Sequence, residues 1–131
     1  MNGKWLSVVA LIGIAAALMI QPSCARSQKL IGIQIQPSAY TFLTADPALV
    51  ANFTAIGTYI HPPATKDITS QVTWGSDAST SVTIANGAVS PTGNECGVVN
   101  ISASYSKGTQ NGSVVIGYAT VTIDGPSPCP Q

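Results

Sequence analysis

Charge is the scarcest property of this 131-residue chain. Asp, Glu, Lys and Arg make up 8% of it, where an average protein carries about 25%. Five basic and five acidic residues cancel to a formal net charge of zero. That excludes a nucleic-acid-binding face, which needs a basic stripe to displace counterions. It also excludes a disordered polyelectrolyte, because low charge is combined here with 45% hydrophobic residues. Imidazole is nearly absent as well. His61 is the one histidine, it has no acid at useful spacing, and its neighbours Pro62 and Pro63 mark it as an exposed loop residue. No Gly-x-Ser-x-Gly elbow, phosphate-binding loop or His-Glu-x-x-His pair occurs. The absence of any CxxC pair argues against a zinc site. We therefore expect no enzyme, no catalytic residues and no cofactor. The acids Asp46, Asp67, Asp77, Glu95 and Asp124 are scattered. Two of them meeting in a loop cluster could hold Ca²⁺; otherwise they are solvated loop charges.

What the chain does have is unevenly placed. Lys4 is followed by an uncharged apolar run, Trp5 to Ile20, and then by Pro22. A bilayer-spanning helix needs roughly 20 apolar residues, so this run fits the hydrophobic region of a secretory signal better than a permanent anchor. Small residues at Ser23 and Ala25 suit cleavage after Ala25. The alternative is acylation of Cys24, which would then become the mature N-terminus and attach a lipid anchor. Under either route Cys24 is removed from thiol chemistry. Cys96 and Cys129 remain as an even pair, which in an exported chain reads as one disulfide. The expected organisation is a signal at 1–25, a short linker at 26–29, one β-domain at 30–125 and a Pro-rich tail at 126–131. The expected location is outside the cytoplasm: secreted, periplasmic or on the cell surface.

From Leu30 onward, period-two alternation recurs between turn residues, and nothing sustains a helical period. Ile31, Ile33 and Ile35 alternate with polar or glycine positions until Pro37, and the pattern resumes over 39–44. A strand is predicted over 49–60, a loop from there to about Ile68, and then a strand with Val72 and Trp74 pointing inward. Val82 and Ile84 form a short strand, and Asn86-Gly87 turns the chain into Ala88-Val89-Ser90. Two long strands follow over 97–105 and 113–124, joined by a Gly- and Asn-rich connection. Seven or eight short strands in this length predict an all-β, antiparallel β-sandwich with one solvated face per sheet. The predicted core includes Phe53, Tyr59, Val72, Trp74, Ile101 and Val121. For Trp74 the other reading is a ligand-stacking platform. Asn52-Phe53-Thr54, Asn100-Ile101-Ser102 and Asn111-Gly112-Ser113 match the glycosylation pattern, but the first two fall inside predicted strands.

Several of these segments occur in a recognisable order. Ile33-Gln34-Ile35-Gln36-Pro37 opens the domain, and Phe53 to Tyr59 forms its second strand. Thr69-x-x-Val72-x-Trp74, Asn86-Gly87-Ala88-Val89 and Gly97-x-x-x-Ile101-x-Ala103 follow. In this order the chain from about Leu30 to Gly125 resembles the bacterial immunoglobulin-like domain, group 2, of invasin- and intimin-type surface proteins. The resemblance implies a binding or adhesion module that contacts a surface protein or a glycan. The alternative is a structural envelope component with no specific ligand. Exposed aromatics on one sandwich face would favour glycan binding, and a bare polar face with blunted edges the structural role. If 97–105 and 113–124 pair as the last hairpin, a Cys96–Cys129 bridge ties the tail across its base, with a stabilisation of roughly 3–4 kcal/mol.

Intact mass of the exported protein, taken without reductant, should correspond to a chain starting at Arg26 and lacking two thiol hydrogens. A lipid-modified Cys24 terminus, or two free thiols, would overturn this processing.

Overall fold

A computed structural model of the chain describes residues 27–106 and 113–125. The described residues hold ten strands and no helix. They run β1 (Lys29–Gln36), β2 (Ala39–Phe42), β3 (Ala51–Asn52), β4 (Thr54–Ile60) and β5 (Ala64–Asp67), then β6 (Thr73–Ser76), β7 (Val82–Ala85), β8 (Ala88–Pro91), β9 (Gly97–Tyr105) and β10 (Val115–Ile123). The predicted signal, the tail from 126, and residues 107–112 of the last connection lie outside the described residues.

Strict alternation builds the longest pair. In β10, Gly117, Ala119, Val121 and Ile123 are buried, while Ile116 and Tyr118 face outward. In β9, Val99, Ile101 and Ala103 are buried. The two strands are antiparallel in unbroken register from Val115↔Tyr105 to Ile123↔Gly97, so both inner rows face the same way. β6 adds antiparallel to the far side of β9, and β2 adds parallel to β10, giving a four-stranded sheet in the order β2-β10-β9-β6. The remaining strands form β1-β4-β5 and β3-β8-β7. Only Phe53 separates β3 from β4, so these two sheets continue one another as the second layer.

Pro37 explains how the layers are joined. It has no N–H to offer a ladder, and the first strand leaves its sheet there. Before it, β1 runs antiparallel to β4 from Leu30↔Tyr59 to Gln36↔Thr54. After it, β2 runs beside β10, from Ala39↔Thr120 to Phe42↔Ile123. The Gln36–Pro37 peptide is cis. Thr120 N–H donates to the Ser38 carbonyl (3.0 Å) and Asp124 N–H to the Phe42 carbonyl (2.8 Å), fastening both ends of β2. A first strand shared between two sheets, with its second half parallel to the last strand, makes this an immunoglobulin-like sandwich.

One core fills the space between the layers, with buried side chains from both: Leu30, Ile35, Phe53 and Val89 from one, Phe42, Ile101, Val121 and Ile123 from the other. Two glycines set how closely the chain can approach itself. Asn86 and Gly87 both have positive φ (49° and 84°), the geometry of a two-residue hairpin turn between β7 and β8. That turn docks at the break between β3 and β4. Phe53 N–H donates to the Gly87 carbonyl (2.8 Å), and a Cβ on Gly87 would lie 2.2 Å from the Phe53 oxygen. At Gly117, a Cβ would lie 2.6 Å from the Ile33 carbonyl oxygen, so β1 crosses β10 where there is no side chain.

The structure departs from the sequence-based expectation at several points. The strands number ten among the described residues, because the predicted 49–60 strand is divided at Phe53 and Ala64–Asp67 pairs with β4 where a loop was expected. The sandwich is not wholly antiparallel, since β2 and β10 are parallel. Val72 is not on a strand; its N–H closes a turn onto the Ile68 carbonyl (3.2 Å). β6 begins only at Thr73 and extends through Gly75 and Ser76. Of the predicted core, Phe53, Ile101 and Val121 are buried, whereas Tyr59, Val72 and Trp74 are half-buried and pack against its margin.

Gly117→Ala should destabilise the domain by about 1–3 kcal/mol, the usual range for overpacking. Gly32→Ala, where a Cβ meets nothing within 4 Å, should be neutral or stabilising by about 0.4–1 kcal/mol. Urea midpoints of the two variants check this, and equal effects would contradict the crossing at Gly117.

Candidate binding face

The outer face of the β2-β10-β9-β6 sheet gathers the polar and aromatic groups that the fold leaves uncovered. Register places Tyr118 beside Ser102 and Thr120 beside Asn100, all on this face because their neighbours Gly117, Ala119, Ile101 and Ala103 point inward. Across β9, Gly75 pairs with Ser102. Tyr118 is 67% exposed. An open depression of about 540 Å³ lies here, lined by Ser76, Asp77, Asn100, Ser102 and Tyr118. Gly75 keeps its floor low, since a Cβ there would sit 3.3 Å from the Ser102 hydroxyl.

Asp77 is held in place by Asn100. Its Oδ1 accepts the Asn100 backbone N–H (2.9 Å) and its Oδ2 accepts the Asn100 side-chain amide (2.8 Å). Asp77 N–H in turn donates to the Asn100 carbonyl (3.1 Å). These bonds, the side-chain one foremost, hold the carboxyl below its ordinary value. It is therefore an oriented, ionised acceptor. Alternation marks Tyr118 as outward-facing, but no sequence signal pairs it with Asp77, because strand register supplies that proximity.

The Thr69-x-x-Val72-x-Trp74 motif proves to be a latch in the fold. The Trp74 indole N–H donates to the Thr69 carbonyl (3.0 Å). The Thr69 hydroxyl accepts the Ala55 N–H (2.9 Å) and donates to Asp67 Oδ1 (2.6 Å), which also accepts the Thr69 N–H (2.9 Å). One threonine thus joins the start of β4, the end of β5 and the tryptophan of β6. Trp74 pairs with buried Ala103 on the inner face, so it is no stacking platform on the outer one.

The other candidates stay apart. His61 is exposed at the β4–β5 turn with φ of 62°. Among the described residues no three His, Cys, Asp or Glu side chains come together as a metal site. Glu95 instead accepts hydrogen bonds from the hydroxyls of Thr80 (3.1 Å) and buried Ser81. Lys66 lies over the Tyr59 ring, 5.1 Å from its centroid, and also donates to Gln28. Burial, reinforced by Tyr105, raises the Tyr59 phenol above its usual value. Asn100 is engaged by Asp77, while Asn52 is exposed and Asn111 lies outside the described residues. Cys96 is half-buried against the core. Cys24 and Cys129 both lie outside the described residues. A second, apolar depression of about 420 Å³ sits at the sandwich end, where Leu43, Leu49, Val50 and Tyr40 are exposed.

No family model matches the chain, and comparison with curated proteins finds no match.

The latch has a pH signature. The Thr69 hydroxyl and then the Thr69 N–H hold Asp67 below its ordinary 3.8. A folded value below the unfolded one means that the contribution is present above 3.8 and is lost as pH falls through the folded value. Thr69→Val should therefore move the Asp67 midpoint up toward 3.8, as read by carboxyl-carbon NMR, and should destabilise the domain by about 1 kcal/mol through the unpaired Ala55 N–H. Thr69→Ser should restore both. An unchanged Asp67 midpoint in Thr69→Val would refute the latch.

Proposed function

We propose that this chain is an exported, immunoglobulin-like binding module acting at or outside the cell surface. The observation that carries the reading is the outer face of the four-stranded sheet: Tyr118, Ile116 and Val98 are exposed on it beside an oriented Asp77–Asn100 pair. Contiguous exposed apolar surface marks interaction sites, and Ile116 and Tyr118 are neighbours in the outer row of β10. The apolar run before Pro22 and the resemblance to bacterial immunoglobulin-like domains of adhesins support export and adhesion. Pairing of Cys96 with Cys129 belongs to the same reading, as a staple suited to an oxidising compartment.

Contact is made through the face rather than through a strand edge. β2 and β6, the two edges of this sheet, are four residues each. β5, at an edge of the other layer, carries exposed Lys66 and Asp67. Short and charged edges are the usual defences against strand addition, so they serve poorly as docking rails.

The exported protein, immobilised and exposed to envelope fractions and surface extracts, should retain a partner. Tyr118→Ala should weaken that capture by about tenfold, as a central aromatic contact does. Absence of any capture, with a folded domain confirmed by circular dichroism, would leave the structural-component reading in its place.

A further inference from the structure

We propose that the depression between Tyr118 and Asp77 is a subsite for an uncharged sugar ring, so that the partner of this face is a neutral glycan. The inference rests on the binding reading above and names its ligand class. A sugar ring needs two kinds of contact: a flat aromatic surface for its C–H face, and fixed acceptors and donors for its hydroxyls. Tyr118 supplies the first at one side of the depression. The second comes from Asp77, Asn100 and Ser102 at its end and floor. Each Asp77 oxygen accepts one bond from Asn100, which fixes the carboxylate while leaving lone pairs for ligand hydroxyls. Asn100 contributes its amide oxygen, and the Ser102 hydroxyl, which donates to the Gly75 carbonyl (3.5 Å), keeps lone pairs that can accept.

The lining also selects against other ligands. Among the described residues it contains no Lys, Arg or His to balance an anionic group. It contains a single carboxylate, too little to hold a cation without further ligands. A volume of about 540 Å³ is within the ordinary range of small-ligand sites, roughly 300–1,000 Å³. Gly75 keeps the floor clear; its backbone has no left-handed φ, and the nearest atom to a new Cβ is the end of the Ser102 side chain. A larger residue there projects from the same outer face, where its Cβ meets only the Ser102 hydroxyl within 4 Å, and strands tolerate it better than glycine.

Backbone NMR titration of the exported protein with neutral oligosaccharides tests this: hexose tetramers, N-acetylhexosamine tetramers and mixed tetramers. Saturable shifts are expected at Gly75, Asn100, Ser102 and Tyr118. Gly75→Leu, Tyr118→Ala and Asp77→Asn should each weaken the binding by about tenfold or more, while Leu43→Ala at the apolar end leaves it unchanged. An unaltered dispersed spectrum in Gly75→Leu shows that the loss is steric and not unfolding. Absence of saturable shifts with every oligosaccharide overturns the sugar subsite, as do shifts located elsewhere or binding that survives Gly75→Leu. If surface capture persists and still requires Tyr118 in that case, the partner is a protein and the binding reading stands. If capture fails too, both are overturned.

Discussion

Both layers of the sandwich are held by one length of chain that belongs to each in turn. β1 completes the ladder of β4, and a few residues later β2 completes that of β10. The covalent link through Pro37 and Ser38 prevents either sheet from sliding along the other without breaking ladder hydrogen bonds. That arrangement requires β1 to pass close over β10, and it can do so only because Gly117 presents no side chain to the Ile33 carbonyl. The inner row of β10 therefore runs from small to large, with Gly117 and Ala119 under the crossing and Val121 and Ile123 in the wider core. Everything on the outer face inherits its position from this register, because a one-residue slip of β10 would turn Tyr118 inward.

A second constraint fixes the far side of the sheet. β6 has only four residues and reaches its place after a long excursion from β4. The Thr69 latch shortens that excursion, since its carbonyl, hydroxyl and N–H are all engaged by Trp74, Ala55 and Asp67. Trp74 is thus oriented by its indole N–H as well as by its packing, and β6 is delivered to β9 with Gly75 facing out. Residues that look chemically capable in sequence, Asp67, Thr69 and Trp74, are used up in building the fold. The groups left for a ligand lie on the outer face of the same sheet.

How far each element can be read from the sequence follows from how much of its pattern is local. β9 and β10 alternate cleanly because one face is buried along their length, and Asn86-Gly87 announces its turn through the φ values only such residues adopt readily. β5 leaves no such trace. Ala64, Thr65, Lys66 and Asp67 follow two prolines and are mostly exposed, so they form a strand through pairing with β4 rather than by their own preference. Val72 misleads in the opposite way, being apolar at the right spacing from Trp74 yet serving a turn. The binding face is half legible. Alternation assigns Tyr118, Asn100 and Ser102 outward, but their meeting with Asp77 and Gly75 depends on β6 docking beside β9, a long-range pairing that no window of sequence contains.

The scarcity of charge takes on a definite meaning once the face is placed. A surface with both signs in abundance attracts partners over distances comparable to the Debye length and sorts them by sign. This domain has little such field, and the one ionised group in its depression is bound on both oxygens by its own neighbour. The recognition proposed for this face therefore operates at contact range, through shape, the Tyr118 ring and oriented hydroxyl, amide and carboxylate groups. Such a face is matched by ligands that are themselves uncharged and rich in hydroxyls, and it gives little purchase to polyanions or polycations. On the binding reading proposed above, a surface of this composition suits neutral polar partners, and the register of β10, β9 and β6 sets which groups it presents.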